Sequence, residues 1–380
     1  MACPEGYYKD LLGSGPCLSC AAERYLNLTG QEMCPDNQDL ALCSTSTCRF
    51  QTLARPDLDV AASGLQMPPA MSLLDATSLL LSIPNGRQLI GIDTFTGACT
   101  LSLRDERSLS TDACATLYQA PVSSATGLVV SKSGHVLFAD MGSLAIRSFD
   151  PFSAAWGGSV DQVDKVLPLT GLGLSGGEKV LHGPVSLALS SSEDTLYILD
   201  KNRVLNVSLL DSTYPTSVVA GQLAAGHADG IGSRAAFHSP KALVLAHSLG
   251  PNTGTIYVAD FRAHRVRQID VATQKVTTLA GYPWKQGMED GVGSKARFKA
   301  PLALALTSDH QRLFVTDYAA NTIRVIDVAS RAVSTLMSTP PQTVSLVLSS
   351  SPGPLQARID SLFLASQVSR ICLTCPLQWS

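Results

Sequence analysis

The chain has 380 residues, with 28 Lys and Arg against 31 Asp and Glu, so its formal net charge is −3. A nucleic-acid groove normally needs a concentrated positive stripe, and no basic run stands out here, which disfavours nucleic acid as a partner. The most apolar stretch, residues 71–83, is interrupted by Asp75 and is shorter than the roughly 18 residues of a membrane helix, so we expect no membrane span.

The cysteines are concentrated near the N terminus, and their even number predicts disulfide bonds and an oxidising compartment. The ten are Cys3, Cys17, Cys20, Cys34, Cys43, Cys48, Cys99, Cys114, Cys372 and Cys375. Cys17-x-x-Cys20 also has the spacing of zinc ligands, but neither a second such pair nor a His pair at finger spacing lies nearby, so we favour disulfides. Sequons at Asn27 and Asn206 predict glycosylation and agree with an extracellular or cell-surface location.

Residues 1–48 contain six of the cysteines and are interpreted as a small disulfide-rich module. The module opens with Cys3-Pro4-Glu5-Gly6-Tyr7-Tyr8, and Cys17-Leu18-Ser19-Cys20 follows. This pattern resembles the ephrin-receptor-like modules of extracellular mosaic proteins. The resemblance implies the pairs Cys3–Cys17 and Cys20–Cys34, whereas the residues alone leave many connectivities open. The downstream Cys43 and Cys48 depart from the pattern, and their partners stay open.

After the module, the sequence consists of short β-branched and aliphatic runs bounded by Gly, Pro, Asn and Asp, which are strand signals. Four such runs form a complete unit from His238 to Gly281, and the unit recurs downstream, with Asp317 lying 57 residues after Asp260. Six units can be counted along the chain, and they begin at residues 71, 127, 185, 242, 302 and 343. The last unit is one strand short.

The missing strand is expected at the other end of the chain, where Phe50–Ala54 resembles the fourth strands of the other units. We therefore predict an all-β fold, a six-bladed β-propeller over residues 49–375 in which residues 49–55 close the last blade, because ring closure leaves only short protected edges. Residues 376–380 are a tail or the start of a further module. Aligning the closing strand with its counterparts predicts a Cys48–Cys375 disulfide, with Cys48–Cys372 as the alternative and Cys99–Cys114 as a local pair.

Residues 229–237 and 290–298 share the motif Asp-Gly-x-Gly-Ser-[Arg/Lys]-Ala-x-Phe, and each copy is followed by a Pro before the next strand. Together with Tyr257-Val258-Ala259-Asp260, the motif closely resembles NHL-repeat propellers, most clearly over residues 218–336. We interpret the motif as turn chemistry and inter-blade packing. A calcium loop is disfavoured because the succession of acidic ligands of an EF-hand is missing.

A set of charged residues repeats at the strand ends, where it predicts a structural role. The aspartates are Asp140, Asp200, Asp260 and Asp317, and the arginines are Arg147, Arg267 and Arg324. We expect each carboxylate to accept hydrogen bonds from turn amides or from an arginine. The third unit has no arginine in its expected third strand, Val204 to Leu209. Recurrence in unit after unit suits a scaffold better than one asymmetric active site.

His182 and His238 each lie two residues before a Pro that leads into an inner strand, so we expect both at one end of the channel. Some NHL propellers are peptide-amidating lyases with metal-binding histidines near the channel, and the resemblance carries that alternative. A metal site normally needs a third ligand, and the equivalent residue of the next unit is Lys299. We predict no cofactor and no catalytic residue, and keep His182 and His238 as the metal candidates.

The leading functional hypothesis is a non-catalytic extracellular scaffold, because cysteine modules and a propeller are the parts of mosaic surface proteins. Cys372-Leu373-Thr374-Cys375-Pro376 is similar to the earlier Cys17-Leu18-Ser19-Cys20, as though another module began. Head-to-tail contacts between such ends would give a filament or surface coat, with the chain itself, other proteins and glycans as expected partners. The alternatives are a ligand-binding receptor ectodomain and a secreted metal-dependent lyase or esterase.

Overall fold

The structure is a computed structural model, and the residues that it describes form strands joined by turns and short 3-10 segments. The described residues are 7–8, 18–19, 51–52, 70–74, 78–83, 88–93, 99–104, 117–119, 122–150, 165–171, 180–247, 253–339, 343–349, 361–366 and 371–373. The all-β prediction is therefore confirmed. Within these ranges, no helix is long and apolar enough to cross a membrane.

Three short strands precede the first blade. β1 (Tyr7–Tyr8) and β2 (Leu18–Ser19) pair with each other, and β3 is Gln51–Thr52. Blade one then consists of β4 (Met71–Leu73), β5 (Ser78–Ile83), β6 (Gln88–Asp93), β7 (Cys99–Arg104) and β8 (Leu117–Gln119). Blade two consists of β9 (Ala125–Val130), β10 (Val136–Asp140), β11 (Ala145–Phe149) and β12 (Lys165–Val166).

The next three blades have five strands each. Blade three is β13 (Thr170–Gly171), β14 (Pro184–Leu189), β15 (Thr195–Asp200), β16 (Arg203–Ser208) and β17 (Pro215–Gly221). Blade four is β18 (Gly230–Ile231), β19 (Ala242–His247), β20 (Gly254–Asp260), β21 (Arg265–Asp270) and β22 (Lys275–Gly281). Blade five is β23 (Gly291–Val292), β24 (Pro301–Leu306), β25 (Arg312–Asp317), β26 (Thr322–Asp327) and β27 (Ala332–Ser338).

The last sheet is a composite of the two ends of the chain. Its C-terminal strands are β28 (Thr343–Ser349), β29 (Ser361–Ser366) and β30 (Ile371–Leu373). β3 pairs with the free edge of β30, with Gln51 opposite Leu373 and Thr52 opposite Cys372. β28 contacts β4 of blade one and β24 of blade five, so this sheet lies between those two blades.

Three parts of the predicted fold need correction. The count of six blades is replaced by five blades of consecutive strands, because the remaining sheet exists only by joining distant parts of the chain. Four of the five blades also have a fifth strand, since a stretch of connector, as in β18 and β23, adds to the outer edge. The disulfide-rich module at residues 1–48 is not supported: the structure describes only β1 and β2 there.

Successive blades pack through apolar side chains that alternate along each strand. In β20, Ile256 and Val258 belong to a buried cluster shared with blade three, whereas Tyr257 and Ala259 belong to a cluster shared with blade five. This alternation follows from the pleat, which directs successive side chains to opposite faces. Phe298, from the second motif copy, is fully buried in the cluster between blades four and five.

Gly281 ends β22 of blade four in a conformation that disfavours side chains, with φ of +93°. A Cβ there would lie 2.7 Å from the carbonyl oxygen of His264 and 2.8 Å from Cα of Arg265. We expect Gly281→Ala to lower the free energy of unfolding by about 2–4 kcal/mol in urea titrations, because backbone strain adds to the clash. Gly232→Ala is the control, since φ is +56° and the nearest atom is Gln274 Oε1 at 3.4 Å. Equal losses of unfolding free energy in Gly281→Ala and Gly232→Ala would contradict the predicted clash.

Candidate functional site

A fully buried aspartate ends β10, β15, β20 and β25, one strand in each of blades two to five, and its carboxylate holds the connector that leads into the blade. The amide of Ser124 donates to Asp140 at 2.7 Å, and that of His238 donates to Asp260 at 2.7 Å. The corresponding donors in the other two blades are His182 and Gly183 to Asp200, and Lys299 and Ala300 to Asp317. His182, His238 and Lys299 therefore occupy equivalent positions, as the sequence comparison placed them.

The repeated arginines lie beside these carboxylates. Arg147 Nε is 3.0 Å from Asp140, Arg267 Nη1 is 3.1 Å from Asp260, and Arg324 Nη1 is 3.8 Å from Asp317. Burial raises the pKa of the Asp260 carboxyl, and the arginines and the His238 amide oppose this rise. Because each carboxylate also accepts connector amides, its role in this geometry is to fasten one element of the blade to another.

Blade three differs from expectation because β16, the strand expected to lack an arginine, does contain one. β16 begins at Arg203, one residue before the expected start, and Arg203 donates to Asp200 at 2.8 Å. Arg203 lies opposite Asp200 in the strand register, as Arg265 lies opposite Asp260. The expectation failed because the arginine of blade three occupies the position of Arg265, opposite the aspartate, and the expectation was based on the position of Arg267, two residues later.

The roles of two residues were not predicted from the sequence: Asp229 and Asp290, which begin the two motif copies. Arg267 Nη2 donates to Asp229 at 2.6 Å, and Arg324 Nη2 donates to Asp290 at 2.6 Å. Asp290 also accepts from the amide of Thr335 at 3.1 Å. Each aspartate thus links the buried arginine to the outer strand of the blade. The shared Asp at the start of both motifs was the signal that could have found them.

Removal of the Asp290 charge is expected to destabilise the protein in a pH-dependent way. Burial favours a higher pKa for Asp290, but hydrogen bonds from the Thr335 amide and hydroxyl and from Arg324 outweigh it, so the pKa lies below its ordinary value of 3.8. Since the folded-state pKa is lowered, the stabilisation is present above the unfolded-state pKa and is lost as the pH falls through the folded-state value.

We therefore expect Asp290→Asn to lower the free energy of unfolding by about 1 kcal/mol at neutral pH, a value reduced by the half-exposure of the carboxylate. The difference from wild type should shrink below the ordinary pKa of 3.8 in urea titrations across pH. Glu289→Gln alters the neighbouring exposed carboxylate and is the control. A loss that is constant with pH would show that the charge of Asp290 is not its cause.

The structure gives the two metal candidates different surroundings. His182 Nδ1 is 3.1 Å from Arg203 Nη2, whereas the ring of His238 packs edge-on against Trp284 at 5.3 Å between centroids. Nδ1 of His238 is buried and has no hydrogen-bond partner in the described part of the chain. The described residues contain no group of three or more His, Cys, Asp or Glu side chains that could hold a metal.

An exposed aromatic surface lies where the connector between blades four and five meets the connector between blades three and four. We call it the Trp284 patch and define it by Trp284, Tyr282, Met288, His227 and His238. Trp284 is 51% exposed, and the centre of its ring lies 5.3 Å from the ring centres of both histidines. Lys285 Nζ lies 5.4 Å and Arg297 Cζ 5.1 Å from the centre of the Tyr282 ring. This arrangement can bind apolar and anionic groups.

The remaining predicted sites are only partly described. Asn206 lies in β16, is partly exposed, and its side-chain oxygen accepts a hydrogen bond from Ser217. Asn27 lies outside the described residues, as do the cysteine side chains and the proposed pairs Cys48–Cys375, Cys48–Cys372 and Cys99–Cys114.

The teneurin NHL domain family model matches residues 96–327, which is more than half of the chain. The chain belongs to the teneurin NHL domain family. This match agrees with the NHL resemblance of the motif copies at residues 229–237 and 290–298, both of which lie inside it.

Curated relatives of this teneurin NHL domain chain match it over part of its length. The protein SUPPRESSOR OF QUENCHING 1, chloroplastic, of Arabidopsis thaliana is 36% identical over 103 residues, which is 27% of this chain and 9% of that protein. Teneurin-1 of Mus musculus is 24% identical over 245 residues, covering 55% of this chain and 8% of that protein. The chain thus spans less than a tenth of either relative.

Solved structures share the fold of the teneurin NHL domain chain at low identity. An auxiliary nutrient binding protein from Bacteroides ovatus has a TM-score of 0.58 and 11% identity, covering 93% of this chain and 88% of that one. A streptogramin B lyase has a TM-score of 0.50 and 9% identity, covering 87% and 98%. Since a binding protein and a lyase both share the architecture, the fold alone does not assign an activity.

Proposed function

We propose that this chain is a non-catalytic interaction scaffold of the cell surface or extracellular space, whose propeller binds other proteins. The observation that carries the proposal is the contrast between its charged and aromatic residues. The repeated aspartates and arginines are buried and fasten the blades together, whereas an aromatic surface is exposed on the connector between blades four and five. Buried charges that recur from blade to blade stabilise the fold, and exposed aromatic residues are available to bind a partner.

The relationship to teneurin-1 supports a surface location, and the predicted disulfides and sequons agree with it. We further propose that residues 49–375 act as one unit and that copies assemble head to tail into a coat or filament, since a heterologous contact that does not close propagates. If copies of the chain do not assemble with each other, the proposed scaffold is a receptor ectodomain that binds a protein or a glycan.

Light scattering on the purified full chain, over a wide range of concentration and combined with elemental analysis for metals, tests this function. We expect the average mass to rise with concentration and no stoichiometric metal to be present. If the chain stays monomeric and still binds a cell-surface protein, the filament proposal is refuted and the scaffold proposal is retained. A monomer that carries one metal per chain, lost on replacing His182 or His238, would overturn the scaffold in favour of a lyase-type enzyme.

A further inference from the structure

We propose that the Trp284 patch docks an acidic peptide segment of a protein partner, with an apolar side chain of that segment anchored on the Trp284 ring. The inference rests on the proposed interaction function and specifies the surface and the chemistry of the partner. Three observations carry it: the backbone of Trp284, the residue types around it and the balance of charge.

The backbone of Trp284 is held in the left-handed region, with φ of +64°. A bulky residue rarely adopts this conformation, which costs about 1–3 kcal/mol. Ten other non-glycine residues of the described chain, Leu144 and Tyr214 among them, share a positive φ, so at Trp284 the conformation fixes the direction of the side chain in a tight turn. Asn or Gly would suit the turn better, and the Lys285 amide closes that turn on the carbonyl oxygen of Tyr282. Because half of the ring is exposed, burial inside the fold does not account for a tryptophan at this position.

The residues around Trp284 are those that protein interfaces favour. Tyr282 is 43% and Met288, on the same loop, 45% exposed, and Arg297 lies over the Tyr282 ring. Trp, Tyr, Met and Arg are enriched in interfaces and supply most hot spots, because they offer large rigid contact areas. The rings of His227 and His238 both pack against the indole in T-shaped contacts, so the anchor surface is ordered before a partner arrives.

The charge around the patch is positive. Lys285 and Arg297 make no ion pair with a described carboxylate, and their charges lie over the Tyr282 ring. The carboxylates of Asp229 and Asp290 are each 2.6 Å from a buried arginine, Arg267 or Arg324, which offsets part of their negative charge. In the loop from Tyr282 to Glu289, Glu289 is the remaining acid. A partner that complements this surface is therefore acidic.

Binding of synthetic peptides to the full chain tests the assignment. The probe is a fluorescent peptide with phenylalanines spaced among glutamates, and its match has lysines in place of the glutamates. Trp284→Asn removes the anchor and leaves a residue that accepts a positive φ. Leu210→Asn is the matched control, because Leu210 is 84% exposed on blade three. Fluorescence anisotropy gives the affinity, and urea unfolding gives the stability of each variant.

We expect the glutamate peptide to bind and the lysine peptide to bind at least about tenfold more weakly. Trp284→Asn should weaken the glutamate peptide about tenfold or more, with a urea midpoint no lower than wild type, whereas Leu210→Asn should bind as wild type does. Lys285→Glu should weaken it severalfold, and added salt should reduce the difference.

Equal binding of both peptides, unchanged binding by Trp284→Asn or no binding of the glutamate peptide would overturn the inference. A lower urea midpoint for Trp284→Asn would mean that the indole supports the fold, and would also overturn it. Tighter binding of single-stranded RNA with the same dependence on Trp284 would reassign the surface to nucleic acid. None of these results bears on self-association, which the light-scattering measurement decides separately.

Discussion

Replacement of Arg267 by Met is expected to lower the free energy of unfolding by about 3–5 kcal/mol, because it leaves a buried carboxylate without its main partner. Arg267 is fully buried and its guanidinium lies 3.1 Å from Asp260, which is also fully buried. It also donates to the carbonyl oxygens of Ala236 at 3.0 Å and Ala228 at 2.9 Å. Met keeps most of the apolar stem, so the loss reports the charge and its hydrogen bonds.

Urea unfolding of Arg267→Met should be compared with that of Arg234→Met. Arg234 lies in the connector that contains Ala228 and Ala236, and it is exposed. Its replacement is therefore expected to change the free energy of unfolding by no more than about 0.5 kcal/mol. Arg265 stays 3.4 Å from Asp260 in the variant and limits the loss. If both variants lost the same free energy, the buried ion pair would not stabilise the blade.

Replacement of Phe298 by Ala should cost a similar amount by another mechanism, the opening of a cavity between blades four and five. Phe298 is fully buried among Ala280, Leu304 and Val315, and Arg324 Cζ lies 5.1 Å from the centre of its ring. Loss of a buried phenyl ring typically costs about 3–5 kcal/mol, and the contact with the guanidinium adds to this.

The matched variants are Phe298→Leu, which fills most of the cavity, and Val292→Ala in the same motif. The first is expected to cost about 1.5 kcal/mol or less. The second should stay within about 0.5 kcal/mol, because Val292 is 53% exposed. A loss for Phe298→Ala no larger than that for Phe298→Leu would show that the blades close over the gap.

The repeat could be predicted from the sequence because the same strand pattern recurs along the chain and one motif occurs at both residues 229–237 and residues 290–298. Asp260 and Asp317 mark the same strand end in two blades, and the structure gives both a buried carboxylate that accepts connector amides. The pairing of β3 with β30 was also predicted, because an unfinished sheet at one end required a strand from the other. The number of blades was counted from strand patterns alone, and this count is corrected.

The Trp284 patch could not be predicted from the sequence. From the sequence alone, a tryptophan in a connector can be predicted equally well to be buried or exposed. The exposure of Trp284 depends on a turn that holds its φ at +64°. Its neighbours His227 and His238 come from the preceding connector and meet it only in the fold. Arg203 was missed for a related reason, because pairing with Asp200 depends on strand register.

Cryo-electron microscopy of the native, untagged protein with its bound partners tests the scaffold account most directly. The account predicts protein density from a partner over the connector between blades four and five, with an apolar side chain against Trp284 and carboxylates near Lys285 and Arg297. Particles with that connector bare, and a metal held by His182 and His238, would contradict it and identify a metal-dependent enzyme.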